Sequence, residues 1–235
     1  MSIHTLSTER ALAVAVCASL ALPAQAGRPL ATDDAAIVAV GACQLEMWTE
    51  HGRDAHAVWA NPGCNPFGST EFAFAFARLH PQGGERLNLR RWQIKQMLRD
   101  TDARQIGLAL AVGGSRTHRT DVRDGYLNGI ASVPLDGEAG VLHLNLGVLR
   151  AHADGRHRTR ATWSLAYDAE VAAAKRASME TYGTSGERPH WQLGMRHEWL
   201  PGHVQLDASV GSAWGRWSDR LFTVGLVFVS PAFLP

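Results

Sequence analysis

Twelve stretches of this chain alternate apolar with polar or small residues at a period of two, and that period constrains the fold more than any other feature. In GVLHLNLGVLR, Gly140 to Arg150, the residues Leu142, Leu144, Leu146 and Val148 share one parity, and His143, Asn145 and Gly147 share the other. Successive side chains of an extended strand point to opposite faces, so this is a strand with two unlike faces. Strands are expected at 41–51, 55–66, 70–80, 87–99, 105–113 and 126–135, and again at 141–150, 159–171, 176–183, 190–200, 204–212 and 220–230. Turn-forming residues separate them, among them His51-Gly52-Arg53-Asp54, Phe67-Gly68-Ser69, Asp136-Gly137-Glu138 and Pro201-Gly202. Each strand has about the length a tilted membrane-spanning strand needs. So large a strand content exceeds what an ordinary globular domain holds.

The two parities differ in the same way throughout. Strand 105–113 sets Ile106, Leu108, Leu110 and Val112 against Gly107, Ala109, Ala111 and Gly113. Strand 190–200 sets Trp191, Leu193, Met195 and Trp199 against Gln192, Gly194, Arg196 and Glu198. One face is apolar, and the other is too polar for a dry core. In a soluble, lipocalin-like secreted barrel the leucines would point inward and the charges outward. The polar parity is rich in Gly and Ala, which suits a solvated face poorly. The pattern therefore predicts an all-β fold, an antiparallel transmembrane β-barrel of about 12 strands, with lipid against the apolar face. Trp59, Trp191, Trp199, Trp214 and Trp217 fall near strand ends, where interfacial aromatic girdles lie. The weakest segment is Tyr167 to Thr181, whose Ala, Glu and Lys favour a helix. Two strands joined tightly at Ala172–Lys175 are expected there, and a helical excursion would lower the count to ten or eleven.

Residues 1–26 read as a signal peptide: a polar start with Arg10, an apolar run ALAVAVCASLAL, and a small-residue site ending at Ala26. The barrel domain would then be 27–235, with secretion to the outer membrane of a Gram-negative cell. Formal net charge is +1, with no long basic block, which argues against nucleic acid as a partner. Lys95 and Lys175 are the only lysines. No phosphate loop or dinucleotide glycine pattern occurs, and no cofactor is expected. His152 and His157 fall in an expected loop without zinc-type ligand spacing, so no metal is expected.

The opening GRPLATDDA, the segment GACQLEMW, the pair CNPFG with TEF, and the end VGLVFVSPAFLP resemble a group of proteobacterial outer-membrane barrels related to the putative phenol-degradation (MetA-pathway) family. The resemblance implies a fold and a location, with outer-membrane lipid and, during biogenesis, the barrel-assembly machinery as partners. It suggests passage of small, often aromatic, solutes and carries over no catalytic residue. Such barrels usually end on an aromatic residue, whereas here Phe233 is followed by Leu234 and Pro235.

The inward parity would gather Glu46, Lys95, His143, Asn145, Glu180, Gln192, Arg196 and Asp207. Arg91, Gln93, Glu170 and Glu198 share it. These groups either pair and plug a narrow lumen or line a path for small solutes. A third possibility is hydrolysis, with His143 and Ser164 brought together across neighbouring strands and Asn145 as orienter.

Register argues for one covalent bond. Cys17 leaves with the signal peptide, so Cys43 and Cys64 remain in an oxidising compartment. If the first hairpin turns between Arg53 and Asp54, opposed residues have numbers that sum to 107, as 43 and 64 do. Directly opposed Cα atoms lie roughly 4.5–5.5 Å apart, within disulfide range.

Overall fold

The computed structural model describes residues 30–102, 105–135 and 140–234. The expected signal peptide lies outside the described residues. Twelve strands run in chain order: β1 (Cys43–Gly52), β2 (Ala55–Cys64), β3 (Thr70–Pro81), β4 (Leu87–Arg99), β5 (Gly107–Thr117), β6 (Arg123–Leu135), β7 (Gly140–Ala153), β8 (Arg156–Ala172), β9 (Lys175–Thr184), β10 (His190–Leu200), β11 (Val204–Ala213) and β12 (Arg216–Val229). Each pairs antiparallel with its neighbours in sequence. β12 closes on β1 from Gln44↔Val229 to Gly52↔Leu221, which leaves no free edge.

The apolar parity faces outward. On β7, Leu144, Leu146 and Val148 are 38%, 68% and 47% exposed, while His143 and Asn145 are buried. Phe74, Phe76, Leu127, Met179, Leu193 and Val224 continue the outer belt. A soluble barrel would have buried these groups. An apolar belt this continuous suits a hydrocarbon surround and not water.

Several strands run past the alternating stretch that betrays them. β5 continues to Thr117, β6 begins at Arg123 and β12 begins at Arg216. These extensions lie beyond the apolar belt, where the backbone ladder persists but side-chain alternation no longer signals it. Tyr167 to Thr181 is strand, turned between Ala172 and Lys175, which oppose each other, with Ala174 at φ 59°. Ladder hydrogen bonds to β7 and β10 outweigh the helical propensity of the segment.

His152 and His157 are not in a loop. They oppose each other on a hairpin turned by Asp154 (φ 51°) and Gly155 (φ 70°), a two-residue turn whose left-handed backbone matches strand twist. Trp59 is not part of a girdle either. It points inward and stacks on Trp48, ring centroids 5.1 Å apart, because both lie on the buried parity of β1 and β2. Trp199, Trp214 and Trp217 are exposed near strand ends, and Trp191 stacks on Trp217.

Cys43 and Cys64 are bonded with Cα atoms 4.0 Å apart, and the first hairpin pairs Leu45 with Pro62, Glu46 with Asn61 and Trp48 with Trp59. This is the register that sums to 107. The barrel end that carries Cys43 is called the terminal end below, and the end with the β1–β2 turn is called the far end.

Candidate functional site: a lumen filled by the N-terminal segment

Residues 30–42 enter the barrel from the terminal end and lie across its interior. They form no strand, so their backbone groups need partners, and inward side chains of the wall supply them. Glu180 of β9 accepts from the N–H of Ala31 (2.7 Å), the N–H of Thr32 (2.8 Å) and the Thr32 hydroxyl (2.7 Å). Asn145 of β7 accepts from the Asp33 N–H at 2.7 Å and donates to the Asp33 carbonyl at 2.8 Å. Ser132 of β6 accepts from the Ala35 N–H, and Glu71 of β3 accepts from the Val38 N–H. At the rim, Asn65 donates to the Val38 carbonyl, and Gly41 donates to the Asn65 carbonyl. The chain end closes over this point, with Phe233 and Leu234 N–H groups both donating to the Gly41 carbonyl.

One ion pair anchors the centre. Lys95 Nζ of β4 lies 2.7 Å from Asp33 Oδ1 and 3.3 Å from Asp34 Oδ1, and Gln93 donates to Asp33 Oδ2 at 3.0 Å. Asp33 is fully buried, and the side chain of Lys95 is 5% exposed. A charge this enclosed is tolerated only when it is paired and hydrogen-bonded, and Asp33 has both.

The sequence-derived residues divide as follows. Glu46, Lys95, His143, Asn145, Glu180, Gln192 and Asp207 are buried in the barrel interior. Glu46 accepts from Asn61 Nδ2 at 2.8 Å. Arg196 is half-buried and directly opposite Asp207, whose carboxylate occupies space left by Gly225, where a Cβ would sit 2.6 Å from Asp207 Oδ1. Glu170, by contrast, is exposed near the β8–β9 turn. His143 and Ser164 do not come together. His143 Nδ1 and Ser132 Oγ share a hydrogen bond of 2.8 Å, and Asn145 is committed to Asp33. The hydrolytic constellation is therefore not assembled.

Alternation alone missed Thr32, Asp33, Asn65, Glu71 and Ser132. A usable signal existed. The acidic pair in GRPLATDDA needs a buried cation, and Lys95 is the only lysine on an inward parity. The stretches CNPFG and TEF likewise meet the segment, through Asn65 and Glu71.

Farther into the barrel, Trp48 and Trp59 form an aromatic wall with Ala57, Ala75, Ala77, Leu79 and Leu89. The Arg91 guanidinium lies 5.2 Å from the Trp59 ring centre. The buried charges are mostly acidic: Asp33, Glu46, Glu50, Glu71, Asp168, Glu180 and Asp207 against Lys95. At the far end, the Gly155 N–H donates to Asp121 at 3.0 Å, which holds that exposed carboxyl below its ordinary value.

Fold and filled interior together define a closed twelve-stranded antiparallel β-barrel of the outer-membrane type. The chain belongs to the family described as "Uncharacterised conserved protein UCP029691", whose model matches residues 13–228. No curated protein matches it in sequence. Among solved structures it is similar to the COG4313 outer membrane channel from Pseudomonas putida F1, with TM-score 0.63 and 10% identity over 88% of this chain and 100% of that one. It is also similar to the KdgM porin in complex with disordered oligogalacturonate, with TM-score 0.60 and 12% identity over 79% of this chain and 98% of that one. For the NanC porin the TM-score is 0.56 and the identity 8%, over 79% and 98%. At these identities the likeness concerns the fold.

Proposed function

We propose that the protein is an outer-membrane channel for small solutes whose resting lumen is closed by its own N-terminal segment. The observation that carries this reading is the docking of residues 31–38 on Glu180, Asn145, Ser132, Lys95 and Glu71, five side chains from five strands. A purely structural barrel could pair its inward charges wall to wall. Here much of that capacity is spent on a segment that runs into β1 at one rim. The fold is that of known channels. β1 begins and β12 ends at the same end, as an even strand count requires, and that end is assigned to the periplasm.

The solute class follows from the lining. Seven buried acids outnumber Lys95 and the half-buried inward Arg91, Arg176 and Arg196, and this acidic surplus favours neutral or cationic solutes over anions. The Trp48–Trp59 wall offers stacking surface, which suits the small aromatic solutes that the resemblance suggests. The protein's partners are then outer-membrane lipid, the barrel-assembly machinery during insertion, and the solute itself.

Planar-bilayer conductance tests this reading. The intact protein should pass little current, and a variant lacking residues 27–38, which retains the disulfide, should show larger, cation-preferring steps. Equal and negligible conductance in both would favour a rigid barrel with a charge-plugged lumen.

A further inference from the structure

On the outer face near the far end, three arginines oppose one another directly across neighbouring strands. Arg90 of β4 faces Arg116 of β5, and Arg116 faces Arg123 of β6. The same row continues through His152 of β7 to His157 of β8. All three arginines are exposed, and among the described residues none makes a hydrogen bond or ion pair. The nearby carboxylates are engaged elsewhere: Asp124 with Ser115, and Asp121 with Gly155 and His152. Like charges directly opposite on one sheet face destabilise the pair, so such a row needs an anion from outside the chain.

The position of the row identifies that anion. Phe76 lies directly opposite Arg90, and Trp92 lies two residues nearer the barrel middle on β4. On β5 to β7 the next outward layer holds Gly114, Gly125 and the exposed Arg150, and Val112, Leu127 and Val148 of the apolar belt follow it. Arg90 thus stands at the edge of the lipid-facing surface, and Arg116 and Arg123 lie about 13 Å of strand beyond its nearest aliphatic layer, at headgroup depth. Arginine is the side chain best matched to phosphate oxygens, through its planar fork of donors.

We infer that Arg90, Arg116 and Arg123 form a binding site for the phosphorylated headgroup of a glycolipid in the outer leaflet. The inference rests on the outer-membrane reading. It further assigns the far end to the outside of the cell.

The test uses the protein refolded into phosphatidylcholine vesicles alone, with added diphosphoryl lipid A, or with dephosphorylated lipid A, and reads the heat-induced shift in gel mobility. Diphosphoryl lipid A should raise the unfolding temperature and the dephosphorylated form should not. Changing Arg90, Arg116 and Arg123 together to Gln should abolish the rise and weaken lipid A binding on the order of a hundredfold, the loss expected of three surface cations. Changing Arg116→Gln alone should give a partial loss, and changing Arg53 and Arg220, exposed residues outside the row, should change nothing. An equal rise in the triple variant, or a rise matched by free inorganic phosphate, overturns the site. Insertion into every vesicle with no response to lipid A also overturns it and leaves the membrane reading standing. Failure to insert into any vesicle overturns the membrane reading, and the site with it.

Discussion

Asn145 and Asp33 hold each other by two reciprocal hydrogen bonds, the side-chain amide of one matching the backbone N–H and C=O of the other. The amide substitutes for a strand neighbour at a point where the N-terminal segment has none. Few side chains can do this, because donor and acceptor must sit in one plane and at one spacing.

Asn145→Ala should therefore loosen the segment without opening the barrel. Each unsatisfied buried backbone group costs about 1–3 kcal/mol. A cysteine introduced at Thr32 should become accessible to a water-soluble thiol reagent in the Asn145→Ala background, and it should stay protected when Asn145 is intact. Equal protection in both would show that the reciprocal pair does not hold the segment.

Lys95 is the most consequential charge in the interior. Lys95→Met leaves Asp33 and Asp34 facing each other without a cation, and breaking a buried pair from one side costs about 3–5 kcal/mol. Combining it with Asp33→Asn should recover part of that loss. Urea unfolding of the refolded barrel measures both, and additive losses would count against a coupled pair.

The Cys43–Cys64 bond closes the first hairpin at the terminal end. Its loop of about 20 residues gives a stabilisation on the order of 3 kcal/mol in the chain-entropy model. Unreduced, denatured protein should show no reactive thiol from this pair. Cys43→Ser and Cys64→Ser should lower the unfolding midpoint equally, and the double variant should fall no further.

Gly225 lies against the Asp207 carboxylate, where an added methyl would come within 2.6 Å of Oδ1. Gly225→Ala should cost about 1–3 kcal/mol by overpacking. Gly202→Ala, in an open turn, should be cheaper despite its φ of 73°, since nothing lies within 4 Å of its Cβ. Thermal unfolding of the two variants side by side checks the order.

How far each feature can be read from sequence depends on the range of the interaction behind it. Period-two alternation is local, and it marks all twelve strands because lipid on one side and a polar interior on the other impose the same contrast on every strand. The Cys43–Cys64 register is also local, since a tight turn fixes which residues oppose. Alternation stops where strands rise out of the apolar belt, so the outward arginine row near the far end has no sequence signature. Its members are 26 and 7 positions apart in the chain and meet only through pairing.

The sequence by itself determined the strands, their faces, the first hairpin and most of the buried polar residues. Only the tertiary structure decided what those polar residues do. Residues 30–42 carry no periodicity, because the bonds that hold residues 31–38 to the barrel wall go to side chains 27 to 149 positions away. Neither the docking of Asp33 on Lys95 and Asn145 nor the commitment of His143 to Ser132 is encoded in any short stretch. Both follow from closure of the barrel, which brings five distant strands around one segment and sets their inward side chains against its backbone groups.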